Sequence, residues 1–244
     1  MQIIVIYVII IKSFPAHRAF TIKKRGKTMS KTHIENVKCP KCQAVSEMTI
    51  WEFIDTSNDP QMKAQVRNGD AFRFHCKSCG NAPLIFYPTI YHQVNEKYLI
   101  SYVPGDPSSA ETYMKDINKD NESGYDFDNG YTKRVVSDMN QLREKLVILD
   151  EGLDDRIIEL MKLFIIADIQ NSQNELRITE IYFNKDKEGE RSFSIRFDND
   201  KWGGTAFSQE NYDQVAKTFR KSLLVDDEVI IDTEWAVEML NKNM

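Results

Sequence analysis

The sequence predicts an α+β protein: a β-rich domain carrying two C-x-x-C turns, then helices, then a small C-terminal α+β unit. Three observations carry that prediction. All four cysteines of the 244 residues fall into two pairs, Cys39/Cys42 and Cys76/Cys79. Apolar and aromatic residues between 47 and 103 recur largely at strand spacing. From about 137 onward the apolar period lengthens to that of helices, and a hairpin pattern follows.

Residues 3–11 are almost wholly apolar. A bilayer-spanning helix needs about 20 apolar residues, and a signal peptide carries a basic flank before its apolar stretch, which is lacking here. Met29-Ser30-Lys31 is an ordinary bacterial opening, and residues 25–28 can be encoded as a purine-rich ribosome-binding sequence. Residues 1–28 are therefore expected to be a mis-assigned start, with a retained leader or membrane anchor as the alternative. They carry six basic side chains and no acid, so without them the net charge of −5 becomes −11. An acidic body is ill suited to tracking a phosphate backbone, where Lys and Arg supply the affinity. The expected partner is a protein.

Two C-x-x-C pairs separated by a folded segment have the spacing of a zinc site. Each pair closes a tight turn that aims two sulfurs at one point, and two facing turns complete a tetrahedron. Four thiolates at about 2.3 Å satisfy Zn²⁺ and leave no position for water or substrate, so the predicted site is structural. Lys38, Lys41 and Lys77 flank the sulfurs and offset part of their charge. Pro40 presets φ inside the first turn. Gly80 suits the position after the second pair, where Gln43 is its counterpart in the first.

Other readings of the cysteines are weaker. A thiol redox pair needs only one C-x-x-C, with a depressed thiol pKa. Disulfides are opposed by a reducing cytosol. His33-Ile34-Glu35 matches the H-x-E of a zinc deaminase, yet Lys38 and His75 stand where that pattern requires proline. The second pair also fills the shell that catalysis leaves open. His33 and Glu35 are expected in an exposed lead-in.

Residues 48–55 read as a strand. Asp59-Pro60 offers a helix start, with 61–67 helical and Asn68-Gly69 closing it. Strands are predicted at 71–75, 84–87, 90–94 and 98–103, the last two joined at Asn95-Glu96. Their aromatics are expected in the core, and His75 and His92 as ordinary hydrogen-bonded histidines.

Cys39-Pro40-Lys41-Cys42, the insert at 59–69, residues 76–80 and Tyr87-Pro88-x-x-Tyr91-His92 resemble the CpXC domain family. That bacterial and archaeal family is named for its cysteine motifs and has no assigned activity. The likeness continues through 142–163. It implies metal-ligand roles for Cys39, Cys42, Cys76 and Cys79 and supplies no catalytic residue. The second pair here lacks the proline of the family pattern, which leaves its turn less constrained and its ligands undisturbed.

Residues 104–130 are rich in Pro, Gly, Ser, Asn and acids, and predict an exposed acidic loop. The spacing of Asp116, Asp120, Asp126 and Asp128 does not match a calcium loop. A helix is predicted over about 137–149, with Val136, Met139, Leu142 and Leu146 on its apolar face. After Gly152, Asp154 or Asp155 can cap a second helix that is apolar over most of its circumference, marking the centre of a fold or a subunit interface. The acids Asp150, Glu151, Asp154, Asp155 and Glu159 are explained by the helix macrodipole.

Further on, 177–183 and 191–197 form a hairpin around a turn at 185–190, and Trp202-Gly203-Gly204 marks another turn. Ser208 caps a helix whose entry is stapled by Phe207 and Tyr212. A strand at 229–231 and a final helix capped by Thr233 complete the chain.

The predicted domains are 1–28 as start or leader, 36–170 as a zinc-ribbon-like domain that includes the acidic loop 104–130 and two helices, and 171–244 as a small α+β unit. No nucleophile with a base, phosphate loop or internal repeat is visible, so no enzyme is predicted. The expectation is a cytoplasmic zinc-binding module for protein contact or assembly. A thiol redox protein or sensor and a nucleic-acid-binding zinc ribbon are the alternatives.

Overall fold

A computed structural model describes residues 30–119, 124–172 and 177–243. The predicted leader and start at Met29 lie outside these residues. The chain forms two compact units that divide after Met139.

The first unit is built on a mixed five-stranded sheet of order β1-β2-β3-β4-β5. Its strands are β1 (Lys31–Lys38), β2 (Val45–Asp55), β3 (Thr89–Gln93), β4 (Tyr98–Tyr102) and β5 (Thr132–Val136). The β1–β2 and β3–β4 pairs are antiparallel, whereas β2–β3 and β4–β5 are parallel. Alternation in β2 buries Ser46, Met48 and Ile50 while Val45, Glu47 and Thr49 face outward, the pattern of a half-covered strand. Every residue of β3 is buried.

Several expectations are corrected here. The supposed lead-in is β1, where His33 Nδ1 lies 2.8 Å from Glu52 Oε1 across the hairpin. Residues 71–75 form no strand: a 3₁₀ turn spans Asp70–Phe72, and 84–87 meets this segment through an isolated bridge from Arg73 to Leu84. Helix α1 (Met62–Asn68) begins two residues after Pro60 and ends on Gly69, whose φ of 84° is left-handed.

The acidic loop also holds structure. Helix α2 (Ser108–Lys115) lies beside β5. Ala110, Met114, Ile117 and Phe127 are buried, the first three at the spacing of one helix face. Sparse apolar residues order this segment because they are correctly phased.

The second unit packs α3 (Met139–Asp150), α4 (Asp155–Ser172), α5 (Gln209–Val225) and α6 (Thr233–Asn241) with an antiparallel sheet β6-β7-β8. Those strands are β6 (Ile178–Lys185), β7 (Arg191–Phe197) and β8 (Trp202–Ala206). Helix α4 lies at the centre, touching α5, α6 and β6. Ile157, Ile158, Leu160 and Met161 join Phe183, Phe193, Ile195, Phe219 and Trp235 in one core. Residues 140–150 of α3 and all of α4 fall in the second unit, where α4 packs against β6. The apolar girdle of α4 needs cover on several sides, and β6, α5 and α6 supply it.

Three local readings also change. Trp202-Gly203-Gly204 is no turn but part of β8, where a Cβ at Gly203 would crowd the Phe197 ring at 3.1 Å. Residues 229–231 form no strand, although Val229 and Ile231 are buried. Helix α6 is capped by Asp232, whose carboxylate accepts from Trp235 N–H at 3.0 Å. The Ser208 cap is present, accepting from Asn211 N–H at 3.2 Å, with Phe207 and Tyr212 ring centroids 5.9 Å apart.

The acids of α4 do more than complement a dipole. Glu144 and Lys145 on α3 and Asp155, Glu159 and Lys162 on α4 are all buried. Lys145 Nζ lies 2.9 Å from Asp155 and donates to Ile231 O at 2.8 Å. Lys162 Nζ bridges Glu144 at 2.7 Å and Glu159 at 2.8 Å. The Phe183 N–H donates to Glu144 Oε1 at 2.5 Å. Among the described residues, no helix is long and apolar enough to cross a membrane.

Candidate metal centre

The four cysteines sit on two loops of the same design. Cys39 and Cys42 lie in the turn that joins β1 to β2. There Cys39 N–H donates to Ala44 O and Gln43 N–H to Cys39 O, both at 2.9 Å. In the second loop Cys76 N–H donates to Asn81 O at 2.9 Å and Gly80 N–H to Cys76 O at 3.0 Å. Gln43 and Gly80 occupy equivalent positions with φ of 64° and 69°. The second loop is held by an irregular ladder, Phe74 N–H to Pro83 O at 3.0 Å and Ile85 N–H to Phe72 O at 2.8 Å.

Across the gap, Ser46 Oγ accepts from Lys77 N–H at 3.1 Å. The Asn81 side-chain amide lies 3.9 Å from Cys39 Sγ. Neither Ser46 nor Asn81 stood out in the sequence, since a single Ser or Asn has no spacing signature.

The four Sγ atoms lie within 4.8 Å of one another. The Cys39–Cys79 and Cys42–Cys76 sulfurs are 3.7 and 3.6 Å apart. A tetrahedron with metal–sulfur bonds of about 2.3 Å has edges of about 3.8 Å, so the donor set fits one such ion. Both of these sulfur contacts run between the two pairs. Cys39 and Cys76 are buried and Cys42 and Cys79 are exposed.

The thiols are electrostatically unequal. Cys76 is pulled down to about 6, chiefly by the backbone N–H of Cys79, with the Ser78 N–H helping against burial. Burial opposes ionisation of Cys39, yet the N–H groups of Cys42 and Lys41 bring its pKa below the ordinary thiol value. For Cys79 the Asn81 N–H favours the thiolate, but the crowding sulfurs of Cys42, Cys76 and Cys39 push it up to about 12. Backbone N–H groups aimed at the sulfurs favour thiolate, the form that binds metal.

Other candidates stay apart. His33, Glu35 and His75 do not belong to the cluster. His92 is buried with Nε2 3.0 Å from Tyr131 Oη and sits among Phe53, Tyr125, Phe127 and Tyr131. Of the basic residues near the loops, Lys63 pairs with Glu96 at 2.6 Å, Arg73 with Asp70 at 3.0 Å and Lys77 with Glu47 at 3.4 Å.

Fold and site together define an α+β protein with a four-cysteine cluster able to hold a metal ion. The chain belongs to the CpXC protein family, whose profile matches residues 37–162, just over half of its 244 residues. The matched stretch begins two residues before Cys39 and ends within α4. Neither the curated proteins nor the solved structures contain a match to the chain.

Proposed function

We propose that Cys39, Cys42, Cys76 and Cys79 bind one Zn²⁺ in a closed structural site. The ion ties two zinc-ribbon-like loops together, and the unit so held acts as a binding or assembly module for a protein partner. The observation that carries this reading is the convergence of four sulfurs from two matched loops at tetrahedral spacing. With four thiolates the shell is full, so the metal orders the loops and activates no water, and no enzymatic role is assigned. Thiolate ligands suit a reducing cytoplasm, the location that goes with this reading.

A thiol redox role is disfavoured by the gathering of all four sulfurs at one point, because dithiol chemistry needs only one C-x-x-C. A nucleic-acid role is disfavoured by the acids beside Lys63, Arg73 and Lys77 and by the acidic total.

Metal analysis of protein purified without chelator tests the proposal, with one zinc per chain and slow alkylation of all four cysteines as the expected result. Metal-free protein with one rapidly alkylated pair would instead support the redox reading.

A further inference from the structure

We propose that the second unit pairs with a second copy of itself through the outer edge of β8, forming a two-fold antiparallel strand pair. The sheet order leaves that edge without a neighbouring strand among the described residues. All five residues of β8 are exposed, including Trp202 at 57%. Phe207 N–H donates to Arg191 O at 3.0 Å and Phe197 N–H to Lys201 O at 2.9 Å. These bonds fix the alternation of the β7–β8 ladder, in which Gly203 and Thr205 bond inward. Trp202, Gly204 and Ala206 therefore direct their N–H and C=O groups outward.

Those three outward positions are self-complementary. A two-fold axis at Gly204 sets Gly204 against the partner's Gly204 and Trp202 against the partner's Ala206, and every outward position then falls in a hydrogen-bonded pair. Each indole faces a methyl group, with the glycine pair between the two indoles, so large meets small. No like charges are opposed within the strand. Lys201 comes opposite the partner's Phe207, close in sequence to the partner's Glu210, and neither Lys201 nor Glu210 has an ion pair among the described residues.

The two edges of this sheet are handled differently. On β6 the Phe183 N–H is taken by the buried Glu144 carboxylate. Strand β8 has none of the devices that keep edges single: no proline, no bulge and no charge within its five residues. Its glycines have a local reason, since a Cβ on Gly204 would stand 3.0 Å from Phe193 O. Trp202 has no such reason, because an indole left in water gains nothing from folding.

An extended peptide of another protein is the competing occupant. The second copy is favoured because the strand matches its own reverse register with nothing left over. A five-residue pairing buries less than a standard interface, so the dimer is expected to be weak.

The test is sedimentation velocity of the zinc-loaded full chain from about 1 to about 300 µM, with hydrogen exchange at both ends of that range. The expected result is a monomer–dimer equilibrium in which Trp202, Gly204 and Ala206 amides gain protection with concentration. Ala206→Pro removes one outward N–H and leaves the inward bonds to β7 in place, so it should weaken dimerisation at least tenfold. Trp202→Ala should weaken it less. A chain that stays monomeric at the highest concentration overturns the proposal, as does a dimer without protection at β8. Protection that comes only with an added extended peptide also overturns it, and assigns the edge to that peptide. Exchange on the unsubstituted chain decides even if Ala206→Pro fails to fold.

Discussion

In the first unit, sulfur atoms near the surface join the loop between β1 and β2 to the loop at 76–79, with two of the four cysteines exposed. In the second, two lysines and three carboxylates are buried between α3 and α4, beneath a core of aromatic and aliphatic side chains. The cysteine loops are flanked by buried Val37, Phe72, Phe74 and Ile85, and on the proposed reading a metal ion adds to that packing. The second unit also has ample apolar cover, and adds a buried ionic network that links α3 to α4. On that reading one part of the molecule draws on a coordination shell as well as on packing, and the other on burial and ion pairs. The two should respond to perturbation independently.

Metal removal tests that independence with the largest effect. Structural zinc supplies about 10–16 kcal/mol of apparent binding free energy in zinc-finger peptides, as much as the usual stability of a whole domain. Chelation, or Cys39→Ser or Cys76→Ser, is expected to expose the loops around 37–46 and 72–85 to protease and to fast amide exchange. Protection in β6, β7, α4 and α5 should remain. Equal loss in both units would break the comparison.

Next comes the ionic network. Lys162→Met leaves Glu144 and Glu159 facing each other in the interior without their shared cation. Breaking a buried pair from one side costs about 3–5 kcal/mol. Burial works against the Lys162 ammonium, but Glu144 and Glu159 more than offset it and raise its pKa above the ordinary lysine value. A raised folded-state pKa stabilises fully below the unfolded value and is lost as pH climbs through the folded one. Unfolding midpoints of the second unit should therefore fall above pH ~10.4 in the parent chain, and the Met variant should lack that step. A loss under about 1 kcal/mol would show that the helices are oriented by the apolar core alone.

How far the sequence disclosed this arrangement follows the same division. Four sulfurs in fixed spacing were legible because coordination is local in sequence, and the hairpin at 177–197 was legible because its period of two is local as well. Strand β1 was missed because its outward positions include Ile34 while His33 and Glu35 suggested polar lead-in. Helix α2 was hidden by acids and small residues that outnumber its two buried side chains, Ala110 and Met114. The ionic network could not be read at all: Glu144 and Lys162 are 18 residues apart, and charges on a helix ordinarily face water. Strand β8 was mistaken for a turn because glycine signals turns more often than it signals an aromatic ring lying against a strand.

A third effect belongs to the first unit and owes nothing to sulfur. Burial pushes the His92 pKa down to about 4, although the Asp55 carboxylate acts the other way. A folded pKa below the unfolded value of about 6.5 means that stability is present above pH 6.5 and is lost as pH falls toward 4. Between pH 7 and pH 5 the loss from this group should be about 2 kcal/mol. Thiolate protonation also loosens zinc in acid, so the quantity to measure is the difference between the parent chain and His92→Phe, both zinc-loaded. The variant should lose less stability over that interval. Identical acid profiles would place the sensitivity in the metal site.

The smallest effect sharpens the comparison within the centre itself, between its two loops. Gln43 and Gly80 hold the same left-handed conformation, which costs an L-residue about 1–2 kcal/mol and glycine almost nothing. Gln43→Gly removes that strain. It also gives up the exposed 3.3 Å hydrogen bond from the Gln43 amide to Pro40 O and increases the freedom of the unfolded chain. The net expectation is a gain of about 0.5–1 kcal/mol in the zinc-loaded first unit, read as a shifted denaturant midpoint. Gly80→Gln should produce the opposite shift, and since nothing lies within 4 Å of a Cβ at Gly80, its cost comes from the backbone alone. If Gln43→Gly destabilises instead, the Pro40 contact contributes more to the first loop than its left-handed residue takes away, and the two loops differ in what holds them despite their shared shape.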